Sequence, residues 1–146
     1  MPATRTSIAD LLANLGANQQ AYAHGCDLMH DAFNKHLLQQ LANKRRRPMA
    51  DLNRALLITG GLPYTMATLP AMAIADMDPS SFPNDHALLA TMERNEERTR
   101  ALYADLLCDD SLPPGIRKLL AEQMRATNAI LVILGEALRS GAQRAA

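Results

Sequence analysis

The chain has 146 residues, 48% of them apolar but only 3% aromatic, with no Trp. That length suits a single domain spanning 1–146 with its own core, and the interior must be built from Leu, Ala, Met and Ile, which favour helices over sheets. Lys plus Arg and Asp plus Glu are equal at 15 each, which leaves no net field to draw a polyanion or an anionic lipid surface. No nucleic-acid or membrane partner is therefore expected.

Ile8, Leu11, Leu12, Leu15, Tyr22, Cys26 and Met29 recur at three- and four-residue steps, the mark of one helix face, with an N-cap expected at Thr6 or Ser7. No apolar secretory segment precedes them, and a cytoplasmic protein is expected. Asp31 can cap a second helix carrying Leu38, Leu41, Met49, Leu52 and Leu56 as far as Gly60-Gly61. No Gly or Pro marks a break at His30-Asp31, but one unbroken helix over 7–57 exceeds the usual length, which favours the break. Pro48 is expected to kink this second helix.

The uncharged stretch Ala55–Ala75 is interrupted by Gly60, Gly61, Pro63 and Pro70, which argues against a membrane span. Tyr64–Ala75 predicts a short crossover helix across one end of a bundle. A third helix is expected from about Asn84 to Leu107 and a fourth from about Pro113 to Leu138, joined by the turn Asp109–Pro114. Four amphipathic segments with one long connection predict an all-α, antiparallel four-helix bundle.

Each helix carries polar residues near its midpoint, where the apolar rhythm calls for core. They are Asn18, Gln19 and Gln20 on the first, Arg45 on the second, Asn95, Glu96 and Thr99 on the third, and Gln123 and Thr127 on the fourth. Polar groups at similar depth predict one interior layer, which serves either as a satisfied network fixing helix register or as a ligand site. Cys26 reads as a core residue, and His24, His30, His36 and His86 as surface or helix-end residues. Lys44-Arg45-Arg46-Arg47 spreads around a helix rather than forming a stripe. No nucleophile triad, phosphate loop or zinc spacing is present.

Asp10-Leu11-Leu12 with Tyr22, Leu41-Ala42 with Arg45, Glu93-Arg94-Asn95-Glu96 with Tyr103, and Leu112-Pro113-Pro114 with Gln123 resemble a bacterial ferritin-like four-helix-bundle family known as domain of unknown function 2383. The resemblance covers nearly the whole chain and implies a ferritin-like bundle, a fold whose core in related proteins often holds two metal ions on Glu and Glu-x-x-His sets. This sequence departs from that set. Gln19 and Gln20 stand where a ligating Glu is expected, Arg45 would repel a metal, Leu131 lies near a family histidine position, and no Glu-x-x-His occurs.

The expectation is therefore a non-catalytic protein without a cofactor, acting through self-association as a homo-oligomer or through a protein partner at the apolar Leu62–Ala75 surface. In place of the lost metal, Arg45 is expected to pair with Glu96 or Glu93. Two alternatives stand beside this reading. One is a metal-binding oxidase or stress-response protein using a residual set such as Glu93, Glu96, Glu97 and Glu122. The other is a small-molecule binder using the polar layer.

Overall fold

A computed structural model describes residues 2–58, 82 and 84–145, with side chains described over 8–57, 82 and 84–141. Four helices make up the described chain: α1 (Pro2–Leu28), α2 (Ala32–Ile58), α3 (Asp85–Leu107) and α4 (Pro114–Ala145). They pack against one another as an all-α four-helix bundle, with no strand among the described residues. The expected crossover helix at 64–75 lies outside the described residues.

The α1/α2 break falls at His30-Asp31. Asp31 supplies what Gly and Pro do not: its Oδ1 accepts the Phe33 N–H at 2.8 Å, capping α2. Asn84 caps α3 in the same way, its side chain accepting from the Ala87 N–H at 2.9 Å. Two boundaries differ from expectation. α1 begins at Pro2, ahead of Thr6 and Ser7, because a proline fits a first helical turn, where its missing N–H is not needed. α4 runs past Leu138 to Ala145 through Gly141, since no proline or cap follows to stop it. α2 continues through Pro48.

α1 packs against α2 and α3, α4 packs against α3, and α2 meets α4 more thinly, so α1 faces α4, and α2 faces α3, across the diagonals. Neighbours are antiparallel. Asn18 meets Thr99 while Tyr22 meets Glu96, and Arg45 meets Thr127 while Pro48 meets Gln123. Consequently α2 and α3 run in the same direction, and Ile58 and Asp85 lie at opposite ends of the bundle. This corrects the expectation of a connection across one end: the chain between them has to travel the length of α2, about 40 Å for 27 residues.

The apolar interior is in two parts. One cluster, toward the α1/α2 turn, includes Tyr22, Cys26, Met29, Leu38, Leu41, Leu88, Met92, Ile130 and Leu134. The other, toward the α3/α4 turn, includes Leu11, Leu15, Leu52, Leu56, Leu106, Ile116 and Leu120. Gly25 brings α1 close to its neighbours in the first cluster: a Cβ there would lie 3.1 Å from Leu38 Cδ1 and 3.2 Å from Met92 Cε.

Asp85, the first residue of α3, ties this end together. Its carboxylate accepts the backbone N–H of His30 at 3.0 Å and of Asp31 at 2.9 Å, and the Asn34 amide at 3.2 Å. Burial alone would raise this carboxyl, but those three donors outweigh it and hold its pKa below the usual carboxylate value. Because the folded pKa is depressed, the contribution to stability is present above the ordinary carboxylate range and is lost as pH falls through the folded value. Asp85→Ala is expected to cost about 1–2 kcal/mol at pH 7, allowing for its partial exposure. Urea unfolding checks this, with the difference from the parent chain shrinking as pH is lowered through the acid range.

Candidate functional site: a buried ion pair and its polar layer

Between the two apolar clusters lies a layer of polar side chains from all four helices. α1 gives Asn14, Asn18 and Tyr22, spaced four apart so that they form one line along the helix. α2 gives Arg45. α3 gives Glu96, Thr99 and Tyr103, and α4 gives Gln123 and Thr127. All nine are buried.

At the centre, Arg45 on α2 and Glu96 on α3 join across the diagonal, with relative exposures of 1% and 0%. The contact is bidentate: Arg45 Nε donates to Glu96 Oε1 at 2.9 Å, and Arg45 Nη2 donates to Glu96 Oε2. Tyr22 on α1 adds a hydroxyl to Glu96 Oε1 at 2.7 Å, and Thr127 on α4 accepts from Arg45 Nη2 at 3.0 Å. All four helices thus meet at one pair of charges.

The surrounding groups use their hydrogen-bonding capacity closely. Thr99 Oγ1 donates to the Asn95 carbonyl at 3.0 Å and accepts the amides of Asn18, at 2.7 Å, and Asn14. Thr127 Oγ1 donates to the Gln123 carbonyl at 3.0 Å while accepting from Arg45. Gln123 uses both ends of its amide, with Oε1 taking the Tyr103 hydroxyl at 2.9 Å and Nε2 donating to the Pro48 carbonyl at 3.0 Å. No buried side-chain atom of these residues lacks a hydrogen-bond partner, which avoids a penalty of about 1–3 kcal/mol for each unsatisfied group.

The electrostatics follow from this enclosure. Burial by itself would lower the Arg45 pKa, but the hydrogen bonds and charge of Glu96 outweigh it and raise it, so the guanidinium stays charged. Burial, then the Glu96 charge and hydrogen bond, push the Tyr22 hydroxyl well above its ordinary value. Burial also raises Tyr103.

Of the residues expected in this layer, Asn18, Arg45, Glu96, Thr99, Gln123 and Thr127 are buried in it. Gln19 is half-buried, Gln20 exposed and Asn95 half-buried. Each successive helical residue turns by about 100°, so positions beside Asn18 and Glu96 swing off the core-facing line. Asn95 reaches the network only through its carbonyl. Asn14, Tyr22 and Tyr103 were not expected as polar members. The signal for Asn14 is the spacing 14, 18, 22; the tyrosines count as apolar in a periodicity pattern although a buried hydroxyl needs a partner.

The alternative carboxylate set does not converge. Glu96 is buried against Arg45, Glu93 is half-buried, and Glu97 and Glu122 are exposed. Among the described residues, no three His, Cys, Asp or Glu side chains are grouped so as to hold a metal ion. The one central carboxylate has both oxygens engaged by a guanidinium, a donor set that does not fit the two-metal centre of a ferritin-like bundle. His24, His30, His36 and His86 are exposed, Cys26 is buried and donates to the Lys35 carbonyl at 3.5 Å, and Cys108 is exposed. Lys44, Arg46 and Arg47 are exposed around the buried Arg45.

Arg45→Ala strands a buried carboxylate and is expected to cost about 3–5 kcal/mol, whereas Arg45→Met combined with Glu96→Leu should lie near the parent stability or above it. Urea midpoints of the single and double variants test this. A second expectation follows from Tyr22. Its folded pKa is raised, so its contribution is fully present below about pH 10 and is lost as pH rises through the folded value. Tyr22→Phe should flatten the alkaline loss of stability, read as the urea midpoint against pH.

No protein-family model, curated protein or solved structure matches the chain.

Proposed function

We propose that this chain is a ferritin-like bundle of the family known as domain of unknown function 2383 in which an internal ion pair stands where a metal centre would be. It acts without catalysis, by binding, through self-association or a partner protein. The observation that carries this reading is the Arg45–Glu96 pair: a fixed cation engages both oxygens of the one carboxylate at the centre. A metal entering there would have to displace the guanidinium and leave a second charge buried and unpaired. The helix directions support the ferritin-like assignment, since one long connection between parallel second and third helices is that architecture's arrangement.

With its core closed to chemistry, the protein meets other molecules at its surface. The described surface carries exposed Phe33, Leu57 and Val132; the Leu62–Ala75 segment suggested as a contact surface lies outside the described residues. No described helix is long and apolar enough to cross a membrane, and a cytoplasmic location remains part of this proposal.

Size-exclusion chromatography with light scattering, combined with metal analysis of the eluted peak after exposure to ferrous iron and manganese, tests the reading. The expected result is a mass at a multiple of the 15.9 kDa chain with metal well below one ion per chain. Iron or manganese at one or more per chain would overturn the non-catalytic reading, and a 15.9 kDa particle at every concentration would remove self-association.

A further inference from the structure

A second polar site lies at the end of the bundle, away from the central ion pair. The turn between α1 and α2 and the starts of α2 and α3 surround an open cleft of about 390 Å³, with the C-terminal part of α4 as its far wall. Its polar lining comes from Asp31, Asn34, Asn84 and Asp85, and its apolar lining from Leu89 and Ala137. The volume is that of a small-ligand site, and the lining has the usual form of an apolar wall with a few polar groups.

Asn34 shows what the cleft lacks. It is only 5% exposed, and its Nδ2 donates to Asp85 Oδ2 at 3.2 Å. That contact fixes the amide orientation, because a carboxylate can only accept. The Oδ1 atom is therefore the other end of the amide, and it is the buried side-chain atom without a hydrogen-bond partner among the described residues. In the central layer the polar atoms are matched; here an acceptor of the kind that costs about 1–3 kcal/mol when unmet stands beside a cleft.

The charges select the kind of donor. Asp85 accepts three hydrogen bonds and holds its proton less tightly than an ordinary carboxylate, so it is negative at neutral pH. A carboxylate offers about four acceptor positions, which leaves one. Asp31 adds a second carboxylate to the lining. An occupant with several N–H donors and a positive charge answers these acceptors, and a short alkyl chain answers Leu89 and Ala137. An anion meets two carboxylates and an amide oxygen, which repel it. A hard metal ion would draw on the carboxylates, but no third His, Cys, Asp or Glu joins them to complete a metal-holding group among the described residues.

We propose that this end cleft is a binding site for a protonated primary alkylamine, its ammonium group received by Asn34 Oδ1 and the carboxylates of Asp31 and Asp85, and its chain laid on Leu89 and Ala137. The site is independent of the Arg45–Glu96 pair and of the oligomeric state of the protein.

The test uses the full chain and n-butylammonium chloride, followed by titration calorimetry and by the Asn34 side-chain amide signal in ¹⁵N-correlated NMR spectra, with n-butanol, sodium butyrate and magnesium chloride as separate arms. Saturable n-butylammonium binding that shifts the Asn34 signal, at least tenfold tighter than n-butanol and without a response to butyrate, is expected. Asn34→Leu keeps the volume but removes the acceptor, and Asp31→Asn keeps a good helix cap while removing a charge. Each should weaken n-butylammonium binding at least fivefold while leaving the far-ultraviolet circular dichroism spectrum unchanged. The proposal fails if no saturable shift occurs at Asn34, if n-butanol binds equally well, if magnesium alone saturates the site, or if both folded variants bind as the parent does.

Discussion

A carboxylate and a guanidinium shut inside an apolar bundle lose their water, and only close geometry compensates for that loss. Arg45 and Glu96 meet this condition across a diagonal, from helices that otherwise scarcely touch, and Tyr22 and Thr127 add a contact from each remaining helix. The axial register of α2 against α3 is thereby tied to one pair, and that of α1 and α4 to the same atoms. Leu, Met and Ala side chains could pack in several registers at modest cost. A one-residue slip of α2 would turn the guanidinium by about 100° and leave Glu96 uncompensated. The two apolar clusters on either side hold the bundle together; the polar layer selects which bundle it is.

Much of this arrangement was legible in the residues. Helical periodicity located four helices because Leu and Ile recur with the period of a core-facing stripe, and Arg45 stood out as a charge at a position where Leu41 and Leu52 demand burial. What periodicity does not carry is the partner. Glu93 and Glu96 are both on α3, three residues apart, and only the relative rotation of the helices selects Glu96. The tyrosine hydroxyls were hidden for a different reason, since Tyr22 and Tyr103 pack as apolar residues by area and act as polar ones through a single atom. The direction of α3 relative to α2 was likewise beyond a local pattern, because it depends on which helices pack side by side.

The same pair decides how the bundle relates to metal-binding ones. A two-metal site within four helices needs several carboxylates and imidazoles drawn to a shared positive charge. Here the positive charge is covalently part of α2, and one carboxylate suffices to balance it. Neutral donors then fill the remaining positions: asparagine, threonine, tyrosine and glutamine hydrogen-bond to each other and to the chain without adding charge. Further carboxylates in the layer would be unbalanced anions in a low dielectric, and Glu97 and Glu122 indeed face outward. The absence of converging ligands and the presence of the guanidinium are thus two aspects of one charge balance.

The centre and the end of the bundle treat polarity in opposite ways. At the centre the donors and acceptors close on themselves, so a change at the surface has no open hydrogen bond there to bias, and the layer is suited to fixing structure. At the end, Asp85 is occupied with holding the α1/α2 turn to the start of α3, and Asn34 spends its donor side on the same carboxylate. Meeting that carboxylate's demand leaves the amide oxygen with none of its own met among the described residues. A fold can tolerate one such acceptor because the central layer and two apolar clusters supply the stability, and the tolerance is localised where three helix ends and a turn leave room for another molecule. Recognition therefore belongs at the end of this bundle, where polar capacity is left over, rather than at its midpoint, where it is used up.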